Sequence, residues 1–438
     1  MSSSAAGRQR LSTSRAPFVT TLFFLTPFFT AVAPRLAPFM LPLLAAALIG
    51  MALRRGMDWR ELIEPSHALI ALVAFALYAL LSAIWAANPG GAAVKSLLFL
   101  VATLVVFAST TAFAKLEAHE AERAARWFLA GSLCGAVFVL IELLTQGALT
   151  RFAMNWVPAF RPDRAKHVAI SQGLVKRINV SEFNQHVAML AFQLWAGLLA
   201  LTAIESGRRR VILILLYAGT LAVPIAISEH ESSQVAIVAG LAVLLLAWRW
   251  PRQIIAGVAV CWVLGFVLVL PLDFLALNTA ELHQAKWLPK SARARVIIWE
   301  YTAEQVLERP LTGIGADSTA KVKERRLTPE EQPEGFVFRR TTGQHAHNIF
   351  LQTWYELGLV GAVLLAGAGA AVASRISRLP RLAQPFGAAA FMTFATIAAF
   401  AWGIWQVWLI CAVALLPLYL VLAAATARAS YRAEPPQL

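Results

Sequence analysis

Charge is what this sequence most conspicuously lacks. Only 14% of its 438 residues are Asp, Glu, Lys or Arg, against about a quarter in soluble globular domains. With 59% hydrophobic residues and a mean hydropathy of +0.64, a water-soluble enzyme is excluded and a polytopic membrane protein is expected. Acid is scarcer than base: 24 Asp and Glu stand against 38 Lys and Arg, a net charge of +14. That surplus does not form a nucleic-acid surface, because it is broken into short clusters between apolar runs, which is how membrane proteins set their orientation. Cysteine is also rare. Cys134, Cys261 and Cys411 each lie within an apolar run, so neither a disulfide framework nor a thiolate metal site is expected.

What the chain has in quantity is apolar runs. Twelve occur, at roughly 17–34, 36–53, 66–86, 92–113, 125–145, 180–203, 211–228, 233–248, 253–274, 347–373, 384–402 and 404–425. A helix crosses a bilayer in about 20 residues at ~1.5 Å each, so the expected fold is an all-α integral membrane protein of about 12 transmembrane helices. The start of the chain, with Arg8, Arg10, Arg15 and an Ala31-Val32-Ala33 sequence, imitates a signal peptide. A second apolar run follows directly, so a retained signal-anchor is expected. If the N-terminus is cytoplasmic, nineteen Lys and Arg fall in short inside segments, while the short outside ones hold little beyond Arg35 and Lys95. Both termini are then expected inside. The organisation reads as helices 1–9 in 1–274, a long outside loop at 275–346, and helices 10–12 with a cytoplasmic tail in 347–438.

Two long outside segments run against the charge rule, which such loops escape. Residues 146–179 carry Arg151, Arg161, Arg164, Lys166, Lys176 and Arg177. The segment 275–346 includes Lys286, Lys290, Arg293, Arg295, Arg339 and Arg340. Cations on one side suggest an anionic ligand there. Within the second loop, residues 289–309 have helical periodicity and break at Pro310 and Gly313-Ile-Gly315, where a tight turn is expected rather than a phosphate cradle. Residues 328–343 are charged and rich in Pro and Gly, and are expected to be mobile.

The chemistry concentrates at Gly343–Gly361, where His345, His347 and Asn348 sit between a polar segment and an apolar one. Asn348, Gln352 and Glu356 recur at i, i+4, i+8 and share a helix face that lipid would reject. A neutral imidazole can take a proton from a hydroxyl, and His347 is the preferred catalytic base, with His345 a lesser candidate. Their H-x-H spacing lacks the partners of a metal site. Arg295, in Arg-Val-Ile-Ile-Trp, is a candidate for phosphate oxygens, which a guanidinium engages bidentately; Arg293 is its lesser twin. Arg177 precedes an unusually polar helix entry, Asn184-Gln185-His186, and is a candidate for the same outside cavity. The carboxylates in the turn containing Glu229, His230 and Glu231 could orient a base or an arginine or merely keep the turn wet, the second reading being preferred, and Trp85-Ala-Ala-Asn-Pro89 reads as an interfacial, helix-ending turn.

The order of these pieces resembles the bacterial O-antigen ligase superfamily, which also contains O-antigen polymerases and related oligosaccharyltransferases. The resemblance rests on Arg295 to Trp299, Pro310-Leu-Thr-Gly-Ile-Gly315 and His347-Asn348 through Gly361 in a twelve-span frame. It implies a periplasmic, inverting, multi-span (GT-C type) glycosyltransferase of the Gram-negative inner membrane. Such an enzyme moves polysaccharide from undecaprenyl diphosphate to lipid A-core in lipopolysaccharide biosynthesis, with no metal or other cofactor. The essential histidine falls on His347 and the arginine on Arg295, with Arg177, Arg293, His345 and Asn348 as substrate-binding candidates. One departure stands out. Many members carry Ser-Arg where this chain has Ser233-Gln234, so Arg177 is the expected substitute cation. A lipid-linked sugar transporter is the rival from another class, but it calls for polar groups at mid-membrane in both halves and for broken helices.

Overall fold

The computed structural model describes residues 16–157, 168–322 and 341–433, the side chains of 16–17 and 428–433 excepted. Arg8, Arg10, Arg15, Arg161, Arg164, Lys166, Arg339, Arg340 and most of the 328–343 segment lie outside the described residues. All twelve apolar runs form helices: α1 (Ala16–Val32), α2 (Ala37–Arg54), α3 (His67–Leu81), α4 (Pro89–Ala112) and α5 (Ala118–Leu144) come first. A short α6 (Ala148–Trp156) and a hairpin of β1 (Val168–Ser171) and β2 (Leu174–Ile178) precede α7 (Asn184–Ile204). Then follow α8 (Gly207–Ile227), α9 (Glu231–Arg249), α10 (Pro251–Asn278), the loop helix α11 (Lys290–Val306), α12 (Ile349–Arg375), α13 (Gln384–Phe400) and α14 (Val407–Ala433). Among the described residues, ten helices are long and apolar enough to cross a membrane, and α1 and α13 are shorter apolar helices. The chain is a multi-pass, all-α membrane protein.

Helix starts follow from local chemistry. Ser66 and Asn88 place side-chain oxygens on the free N–H groups of α3 and α4, and Glu117 with Glu120 forms a capping box on α5. Those caps lie outside the apolar runs, which is why α4 and α5 begin earlier than hydropathy alone indicates. The central element is α7, apolar on every face and buried almost throughout; α1, α2, α4, α5 and α14 pack in one cluster with it. A second cluster forms around α12, from α3, α10 and α13. Leu216, Val238, Val260, Val267 and Val363 point outward, where a lipid tail is as good a partner as another side chain.

Because the helices alternate in direction, the segments 33–36, 82–88, 145–183, 228–230, 279–348 and 401–406 share one end of the bundle. Cross-links between them fix this arrangement: His186 to the Ala31 carbonyl, Lys95 to Asp317, Ser291 to Glu231 and Trp299 to the Ala346 carbonyl. At that end α12 is broken. Gly358 takes φ 62, ψ −162, and residues 310–315 lie along the break. Leu359 and Val360 N–H donate to the Pro310 and Leu311 carbonyls, while Ile314 and Gly315 N–H donate to those of Tyr355 and Glu356. These are the backbone groups that the break would leave without partners, at several kcal/mol each in a membrane interior. The two chains touch backbone to backbone. A Cβ on Gly313 would come within 2.4 Å of Glu356, and one on Gly358 within 2.4 Å of Leu311. The Gly-Ile-Gly sequence is therefore a splint for a membrane helix, built of glycine because nothing larger fits.

Candidate active site

The segment before α12 is held from two sides. Asn348 is the N-cap of α12, its Oδ1 accepting from Phe350 and Leu351 N–H, and Trp299 of α11 donates to the Ala346 carbonyl at 2.8 Å. Between these anchors His347 adopts φ 56, a left-handed conformation uncommon for a side-chain-bearing residue. Its Nδ1 lies 2.5 Å from the Ala401 carbonyl. A carbonyl can only accept, so the neutral ring carries its proton on Nδ1 and leaves the Nε2 lone pair free. The His345 ring is 4.1 Å away, centroid to centroid, and its Nδ1 accepts from the His347 N–H at 3.3 Å.

Arg295 projects from α11 toward this pair. Although largely buried, its guanidinium makes no hydrogen bond or ion pair among the described residues, including none with Glu300. Burial depresses its pKa and the Glu231 carboxylate opposes that, but a guanidinium remains charged throughout. Three imidazoles feel its field. Burial is the larger cause in each case, and it brings His347 down to about 4 and His345 and His230 to about 3, with Arg295 adding to the depression in all three. His345 is lowered by His347 as well. All three rings are neutral near pH 7, as a proton acceptor must be. Arg293 lies one short step along α11, half-buried, with its Nε lacking a partner.

Next to the histidines is a cavity of about 690 Å³. His345 and Gln352 line its inner end, together with Trp405 and Gln406 of the segment before α14. Arg35, Lys95 and Gln185 line it from the α2, α4 and α7 starts. Lys95 is neutralised by Asp317 at 2.5 Å, and Asp317 also accepts from the Asn88 amide. Below the cavity floor, Glu356 is saturated: it accepts from the N–H groups of Asp317 and Thr319, the Thr319 hydroxyl, the Gln352 amide and the Trp405 indole. This network ties the splint, α12 and the 401–406 segment into one rigid floor.

Residues 216–366, from mid-α8 into α12, match the sequence model of the O-antigen ligase family. The match covers about a third of the chain. That family consists of membrane glycosyltransferase-like enzymes, ligases and polymerases, with lipid-linked glycans as substrates. No curated protein matches the chain. The ligase-family segment contributes Arg293, Arg295, the splint, His345 and His347, whereas Arg35, Lys95, Gln185, Trp405 and Gln406 come from outside it.

Against the expectations from sequence, the structure brings His347, His345 and Arg295 of this ligase-family segment together and corrects two others. Arg177 is not at the site. It is exposed on β2 opposite Ala169, beside a register shift between Ala169 and Ile170, in a strand that buries Val175 and Ile178 and leaves Lys176 and Arg177 out. Asn348 is available only in part, because its amide oxygen is occupied in capping α12 and only its NH₂ group is left to meet a substrate. Gln234, in place of the expected arginine, closes the α8–α9 turn by donating to the Ala226 and Ser228 carbonyls. His230, in the turn expected to be wet surface, is instead buried with its Nδ1 2.6 Å from Ser233 Oγ and its ring stacked on Trp402 at 4.7 Å. Sequence reasoning passed over Arg35 and Lys95. Their signal was present: two lone cations in outside turns that otherwise carry none.

Proposed function

We propose that the chain is an O-antigen ligase that transfers polysaccharide from undecaprenyl diphosphate to lipid A-core, at the periplasmic end of a Gram-negative inner-membrane bundle with both termini cytoplasmic. The observation that carries this reading is an unpaired, buried guanidinium on α11 held beside an imidazole whose Nε2 is free. A leaving diphosphate needs cations, and Arg295, backed by Arg293, supplies charge to its oxygens without the cost of breaking an existing ion pair. The attacking hydroxyl needs a base, and His347 has the right tautomer, fixed by the Ala401 carbonyl.

In the reaction, the acceptor oxygen bonds to the donor's anomeric carbon as the bond from that carbon to the phosphate oxygen breaks. The bonding electrons leave with undecaprenyl diphosphate, and the hydroxyl proton passes to His347 Nε2. Displacement in a single step inverts the anomeric centre. The proton then leaves readily, because the protonated ring is disfavoured by burial and by Arg295.

The test supplies purified protein with undecaprenyl-diphosphate glycan and, in parallel, lipid A-core or a shorter glycan-diphosphate acceptor. Extension of lipid A-core is expected, with the inverted linkage and without loss in EDTA. Extension of the lipid-linked glycan alone would make the protein a polymerase instead.

A further inference from the structure

The site has two chemically different compartments, and the proposed reaction explains why it needs both. On one side the Arg295 guanidinium acts on the neutral imidazole of His230, and neither residue contributes to the cavity lining. On the other, the cavity wall carries carboxamides and indoles together with Arg35 and the paired Lys95 and Asp317. Trp402 stands between them, stacked on His230 at 4.7 Å and meeting Trp408 edge-on at 4.9 Å. His345 belongs to both, lining the cavity while within the field of Arg295.

The inner end of the cavity offers polar groups to a ligand. His345 Nε2 and the Gln406 NH₂ group meet at 3.2 Å in a hydrogen bond whose direction the His345 tautomer sets. The Gln406 amide is oriented by its Oε1, which accepts from the Trp408 indole at 2.7 Å. Its NH₂ carries two N–H groups, so one is left for a hydroxyl oxygen in the cavity. Gln185, whose carboxamide also lines the cavity, makes no hydrogen bond among the described residues.

The geometry points to the cavity as the binding site of the acceptor saccharide, its hydroxyls read by Gln406, His345 and Gln185 and its ring faces by Trp405 and Trp408. This assignment rests on the transfer reaction above, since an inverting displacement requires the nucleophile on the side of the anomeric carbon opposite the leaving diphosphate. Carboxamides and indole faces match neutral, vicinally hydroxylated rings, whereas a diphosphate would favour the Arg295 face. The volume also fits, at about 690 Å³ within the usual range for small-molecule pockets.

The experiment uses the full chain with undecaprenyl-diphosphate glycan and lipid A-core. Gln406→Glu, which replaces the NH₂ donor with an acceptor, and Gln185→Ala are each expected to raise the acceptor KM about tenfold, ~1.4 kcal/mol of binding. The donor KM should stay within about twofold. A rise in the donor KM instead, or no change in either, overturns the assignment. A lipid-free core oligosaccharide bearing a photoreactive group reads the same site without turnover. Label on residues 344–352 and 403–408 is expected, and label on 293–299 counts against the cavity. If the wild-type protein transfers nothing yet takes label in the cavity, the transfer reading fails while the saccharide site stands.

Discussion

Two buried charges in this protein are treated in opposite ways. Glu356, on the first half of the broken helix α12, is surrounded by five donors. Arg295, at the same end of the bundle, has no hydrogen-bonding partner among the described residues. A saturated carboxylate has nothing left to offer a ligand and serves to hold the floor. An unsatisfied guanidinium is a standing cost to the fold, which makes sense if an anion repeatedly relieves it. The contrast separates structural charge from functional charge without reference to any relative.

Substitutions can break that contrast. His347→Ala is expected to cost ~10³-fold in transfer rate, as for loss of a general base, with normal yield of folded protein. Full turnover in that variant would remove the base assignment. Arg295→Ala should cost ~10²-fold or more through loss of charge on the leaving group, yet leave thermal stability unchanged or raised, since an uncompensated buried charge is gone. If it melts earlier than wild type, Arg295 is a structural residue and the comparison collapses. Glu356→Leu should do the reverse, losing ~3–5 kcal/mol of stability because five donors are stranded, measured as the melting temperature in detergent; an unshifted melt contradicts the network.

Two finer tests concern acid. Transfer should be flat near neutrality and fall as pH drops through about 4, where His347 takes up a proton. In Arg295→Ala the residual activity should show this limb at higher pH, because one cause of the depression is gone; an unmoved limb would mean that Arg295 does not act on His347. Stability has the same sign. The unfolded histidines bind protons below about 6.5, while His230, His345 and His347 resist until about 3 to 4. Between those limits the unfolded chain holds more protons, so stability is full above the unfolded value and declines as pH falls. A melting temperature constant from pH 7 to 4.5 would speak against three buried neutral rings.

Ten spanning helices were legible because crossing a bilayer demands long apolar helices whatever their neighbours, while two expected spans, α1 and α13, are shorter apolar helices among the described residues; His347 with Arg295 stood out as ionisable groups beside such runs. Arg177 was misplaced for a reason sequence cannot supply: its neighbours are basic and polar, but a register shift in the short hairpin breaks the alternation and leaves it on the exposed side while Val175 and Ile178 are buried. The role of Gly313-Ile-Gly315 was also hidden, since a tight turn was evident but not the helix break 43 residues later, at Gly358, that it repairs.

Local composition thus determined which segments enter the membrane and which residue types could do chemistry, because hydrophobicity and ionisability belong to each residue alone. Tertiary structure decided which of those residues meet. The partition by Trp402, the contact of His345 with Gln406, and the isolation of Arg295 each depend on segments far apart in the chain, and hydrogen-bond saturation is a property of neighbours in space.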